Sequence, residues 1–166
     1  MQAKTFILVA LASMGSARFA QEGLVQGLIQ ALDDFGAPGA AGTLAGQSPS
    51  TLLAGASACA KLELADQIVA QLGNDAQVIA AAAALVAAEK NFNPFAQSIP
   101  TICSDASLPA TEALRGIVPL VDPAVVGSDV ENANSATSLQ SPFDATGLSV
   151  ADVVRAQGFS NFTDQA

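Results

Sequence analysis

Apolar residues recur along this chain at three- and four-residue steps, the spacing of helices rather than strands. Leu24, Val25, Leu28, Ile29 and Leu32 share one face, with Gln26, Gln30 and Asp33 on the other, so 21–35 reads as an amphipathic helix whose exit turn holds Asp33, Asp34 and Gly36. A second run opens at Ser48-Pro49, an N-cap followed by proline at the first helical position. It continues through Leu52, Leu53, Ala56, Cys59, Leu62, Ala65, Ile68, Val69 and Leu72 to a C-cap at Gly73, while Lys61, Glu63, Asp66, Gln67 and Gln71 form a wet side. The third run, Asn74 to Lys90, has Asn74 and Gln77 at capping-box spacing and no polar residue from Val78 to Ala88. A helix apolar on every face must be covered on every face, which makes this the central helix. The tight turn at Gly73 makes it the antiparallel partner of the helix before it. Eleven apolar residues fall short of the ~20 that cross a bilayer, so no membrane span is expected.

Between these runs the chain changes character. The stretch 36–47 carries glycine at 36, 39, 42 and 46 together with Pro38 and reads as a flexible connection. Residues 91–109 hold three prolines among Phe92, Phe95 and Cys103 and predict an irregular wrap in which the two phenylalanines plug the core. A short helix is expected from Ser107 to Val118, stopped by Pro119, and another turn or helix from Asp122-Pro123 through Val125, Val126 and Val130. Ser149 should cap a last helix, 151–157, closed by Gly158, with a polar tail after it. The expected architecture is all-α: a small helical bundle around the alanine-rich helix, tied by one disulfide and an irregular proline-containing wrap. Alanines 80–84 either let neighbouring backbones approach closely or floor a cavity. In the second case Val78, Ala82, Leu85, Val86, Phe92 and Phe95 would line it.

The first seventeen residues read as a secretory signal: Lys4, then an apolar stretch from Thr5 to Met14, then small residues at 15–17. A single domain over 18–166 follows, with cleavage after Ala20 as the competing site. Loss of Lys4 leaves five basic against fifteen acidic residues, a net charge of -10, which repels nucleic acid and anionic membranes. In a secreted chain Cys59 and Cys103 are expected to pair. The alternative, a reactive thiol, has only Lys61 near Cys59 to support it. Asn161-Phe162-Thr163 is a glycosylation acceptor, and the absence of a following apolar run predicts release rather than a lipid anchor of the GPI type.

Candidate chemistry is sparse. Histidine, tyrosine and tryptophan are absent, which removes Ser-His triads, Cys-His pairs and His-based zinc sites. Carboxylates remain. Glu63 and Asp66 stand three apart on a helix, as an acid and base would or as two solvated charges would. Glu89 with Lys90 reads as an ordinary helix end, and Glu112 with Arg115 as a surface ion pair. Asp129, Glu131, Asn132 and Asn134 offer hard oxygens, yet their spacing lacks the alternation and closing glutamate of an EF-hand, so the choice lies between calcium and a capped polar turn. The glycine-rich 36–47 has no P-loop lysine. No enzyme activity, cofactor or metal is expected.

The segment NFNPFAQSIPTICSDASLPATEALRGIVPLVDP resembles one seen in small secreted proteins of filamentous fungi without assigned activity. In helix character, Leu24 to Leu32 and Leu52 to Val86 are similar to the fungal hydrophobic-surface-binding and cell-wall mannoprotein group. That resemblance implies a helical, extracellular protein that binds a lipid or apolar surface. The alternative is an effector that recognises a host or cell-wall partner.

Overall fold

The computed structural model describes residues 21–166. The predicted signal segment, 1–17, and both candidate cleavage sites lie outside the described residues. Six α-helices are present among the described residues: α1 (Gln21–Gln30), α2 (Ala40–Thr51), α3 (Ala60–Leu72), α4 (Ala76–Ala87), α5 (Ser128–Gln140) and α6 (Val150–Ala156). Two three-residue strands, β1 (Thr101–Cys103) and β2 (Thr163–Gln165), pair in parallel, and Glu112–Leu114 forms a 3₁₀ turn. The protein is all-α apart from that one small ladder.

α1 packs on α2, α2 on α3, α3 on α4 and α4 back on α1, closing a four-helix ring. The apolar stripe of α1 turns inward as its spacing requires: Val25, Ile29 and Leu32 are buried, Leu24 and Leu28 half-buried. α4 also meets the 3₁₀ turn and α5, and Val78 and Ala81–Ala88 are all buried. Its cap is Asp75, whose carboxylate accepts the Gln77 N–H at 2.9 Å, rather than Asn74. The helix also ends earlier than its composition suggests, because Ala88 is extended and carries Glu89 and Lys90 into the interior.

The glycine-rich stretch is not a flexible connection. Gly39, at φ +81, starts α2, and Ala41, Leu44, Ala45 and Ser48 bury one face of it. Each helical glycine costs about 1 kcal/mol relative to alanine. Burying Leu44 and its neighbours against α1 and α3 offsets that. Ser48-Pro49 accordingly lies near the end of a helix instead of at its start. Proline has no N–H to give the Ala45 carbonyl, and the Ser48 hydroxyl donates to that carbonyl instead, at 2.9 Å. Ser50 and Thr51 hydroxyls donate to the carbonyls of Gln47 and Ser48, so the last turn is satisfied by its own side chains.

Between α2 and α3 the chain makes turns, so the run from Leu52 to Leu72 is not one continuous helix. Gly73, at φ +96, ends α3 as expected. Cys59 and Cys103 are disulfide-bonded, joining the residue before α3 to the end of β1. The helix expected from Ser107 shrinks to the 3₁₀ turn. α6 has the capping box its sequence announces, with Ser149 and Asp152 exchanging hydrogen bonds.

α5 departs furthest from the hydrophobic pattern. Its buried positions are Ser128, Glu131, Ser135 and Ser138, a stripe of helical period made almost wholly of small polar residues. It lies against α4, where alanines leave room for the close approach. Ser138 Oγ donates to the Ser135 carbonyl and accepts the Val118 N–H, so that side chain is satisfied inside the core.

Candidate functional site

The carboxylates available for acid–base work do not converge. Glu63 is exposed, while both Asp66 oxygens accept backbone N–H groups, from Ala110 at 2.7 Å and Thr111 at 2.8 Å. Asp66 therefore anchors the chain that leads into the 3₁₀ turn. Two charge-assisted bonds of this kind contribute about 1–3 kcal/mol together. Asp66→Ala should lower the urea unfolding midpoint by a corresponding amount and Glu63→Ala should leave it unchanged; equal effects would remove this role.

The expected Glu112–Arg115 ion pair does not form. The Arg115 guanidinium instead donates to four carbonyls, of Ala106, Pro109, Ala145 and Leu148, stitching two loops together. An open groove of about 550 Å³ lies beside it, lined by Glu112, Ala113, Phe143 and Asp144 among others. The oxygen cluster at 129–134 is dispersed by its helix. Asp129 is exposed, Asn132 pairs with both the N–H and the carbonyl of Val121, and Asn134 donates to the Gln157 carbonyl. Among the described residues no group of His, Cys, Asp or Glu is arranged to hold a metal ion.

Lys61, which the pattern put on the wet side of a helix, and Glu131, one of the oxygen cluster at 129–134, are both in the core. Lys61 reaches from the first turn of α3 to the C-terminal end of α4 and donates to the carbonyls of Val86 at 2.8 Å and Ala88 at 2.5 Å. Those are orphan acceptors at the negative end of a helix, a favourable place for an ammonium. Burial nevertheless pulls its pKa down to about 7, with Lys90 adding to the depression and Glu89 and Glu131 opposing it. Glu131 has no exposed surface, and neither of its oxygens has a hydrogen-bond partner; nor does the adjacent Ser135 hydroxyl. Burial raises the Glu131 carboxyl to about 8, against the smaller pull of Asn134 and Lys61, so it is held neutral at physiological pH. Lys61 carried no sequence signal, since a lysine at a helix start is ordinarily solvated, and Glu131 was legible only as one oxygen of the 129–134 cluster.

The predicted lining residues separate into three environments. Val78, Ala82, Leu85 and Val86 are fully buried in the core, and Phe92 is half-buried against it. Phe95 is 98% exposed, the reverse of a core plug. None of the six lines the groove at 106–147 or a small cavity, about 20 Å³, between α3 and β1.

Phe95 is carried by a segment whose ends are held firmly. Asn91 N–H donates to the Leu52 carbonyl and its amide to Glu22, while Lys90 Nζ donates to the Ala54 carbonyl. At the far end β1 is fixed by its ladder to β2 and by the disulfide at Cys103. Asn93 Oδ1 accepts the Phe95 N–H and shapes the turn that presents the ring. The same bonds bring the Leu52–Ala54 turn alongside, and Leu53 there is 54% exposed. Asn161, the glycosylation acceptor, is partly buried, with its amide donating to the Val126 carbonyl at 3.1 Å. Beyond it Phe162 stacks on Phe159 and lies beneath Arg155, which also pairs with Asp164. No helix among the described residues is long and apolar enough to cross a membrane. The chain matches no protein-family model, no curated protein and no solved structure.

Proposed function

We propose that this is a secreted, non-catalytic protein that binds an apolar surface, of a lipid layer or the cell wall, through the aromatic tip at Phe95. The observation that carries the reading is the 98% exposure of a phenylalanine on a segment pinned at both ends. A ring held in water by a fixed backbone gains the full benefit of burial when a surface covers it, at little entropic cost. Leu53, on the turn bonded to residues 90 and 91, is a second exposed apolar side chain. The disulfide and the signal-like first residues support secretion, and the lack of histidine supports a role without catalysis. The cavity between α3 and β1, about 20 Å³, is room for a water and too small for a lipid, which supports a surface over a ligand carried there.

Burying one phenylalanine is worth about 1.5–3 kcal/mol, or roughly ten- to a hundredfold in affinity. Adsorption to an alkylated sensor chip should therefore weaken by that factor in Phe95→Ser, with the thermal unfolding midpoint unchanged. Undiminished adsorption of the variant would end this reading. A stoichiometric lipid extracted from the denatured protein would end it too, in favour of a carrier.

A further inference from the structure

In a chain with six basic residues against fifteen acidic ones, two of the lysines are buried and face the same cavity. That cavity, about 20 Å³, lies between the start of α3, the extended 88–90 segment, β1 and the 119–121 strand of loop. Lys61, Lys90 and Thr101 line it, and Ala58, Ile102 and Val121 supply apolar wall. An ammonium has three N–H donors. Lys61 uses two, on Val86 and Ala88, and Lys90 uses two, on the Ala54 carbonyl at 3.1 Å and the Thr101 hydroxyl at a long 3.4 Å. Each ammonium thus has a third donor beyond those two bonds, and both lysines line the cavity.

Charge balance points the same way. Below about pH 7 Lys61 as well as Lys90 carries its proton, and Glu89 on the same segment is the carboxylate that offsets them, since burial holds Glu131 neutral. Two ammoniums against one carboxylate leave an excess positive charge in the interior, where an uncompensated ion is costly. We propose that Lys61 and Lys90 together hold one halide-sized monovalent anion in the cavity they share. The space accepts a single water-sized occupant, which excludes phosphate and sulfate. The Thr101 hydroxyl is a third donor to the same anion, and the apolar wall excludes competing solvent. This site is independent of the surface reading at Phe95.

Thermal unfolding in sodium chloride and in sodium gluconate at equal ionic strength tests the site, because gluconate is too large to enter. The midpoint should rise by several degrees with chloride, saturably, since an occupant of the folded state alone stabilises it by mass action. In Lys90→Met the chloride dependence should vanish. Crystals grown in bromide should show one anomalous peak between the two lysines, a readout on the unaltered chain that does not depend on any variant folding. Identical midpoints in the two salts, chloride dependence retained in Lys90→Met, or a bromide-free cavity would each overturn the proposal.

Discussion

Raising the pH from 5 to 7 is expected to cost this protein stability, on the order of 3 kcal/mol, because the folded state retains a proton that the unfolded chain gives up. The group is Glu131, whose carboxyl is raised from 4.5 to about 8 by burial. Its contribution is fully present below about pH 4.5 and is lost as pH climbs through 8. Lys61, lowered from 10.5 to about 7, has the opposite slope: its burial is least costly above 10.5 and most costly below 7. The two oppose each other between 7 and 8. Above 8 the buried lysines still titrate, Lys90 too being lowered by burial, so stability should recover and leave a trough near neutrality. On the acid side, Asp105, Asp144 and Asp152 are held below their ordinary range by hydrogen bonds from Ser107, Thr146 and Ser149, so stability should fall again below about pH 4. Urea unfolding across pH 4–10 checks the shape. In Glu131→Gln the slope between 5 and 7 should disappear; a slope that persists would assign it to another group.

Removing the disulfide should have an effect of similar size. Cys59 and Cys103 are 44 residues apart, and closing a loop of that length restrains the unfolded chain by about 4 kcal/mol in the chain-entropy model. The loss should exceed what any solvent-exposed substitution produces. The bond also closes the segment that presents Phe95, since β1 is attached to α3 through it and to β2 through the ladder. The double variant Cys59→Ala, Cys103→Ala should therefore show a lowered midpoint and weaker adsorption together. A midpoint within about 1 kcal/mol of the parent would mean that helix packing alone holds the wrap in place.

Helices whose signal is local could be read from residue spacing alone. α1, α3, α4 and α6 were legible because their apolar residues repeat at helical spacing and their ends carry Gly73, Ser149 and Gly158. The cysteine pairing was legible because two cysteines allow one bond. Central placement of α4 followed from its having no polar face. The tertiary structure decided everything that rests on a neighbour. α2 is a helix despite its glycines because α1 and α3 cover Leu44 and Ala45. α5 is a helix without a hydrophobic stripe because it packs against α4, whose alanines leave room for its small serines.

The candidate sites divide along the same line. Phe95 looks like a core residue in sequence, and only the fixing of Asn91 to Leu52 and of the chain beyond it turns the ring outward. Lys61 looks like a surface charge, and only the end of α4 lying across its helix makes it a buried donor. Periodicity reports what a residue prefers on average. Whether a phenylalanine is exposed or a lysine buried depends on a few contacts between segments far apart in the chain, and those are set by packing.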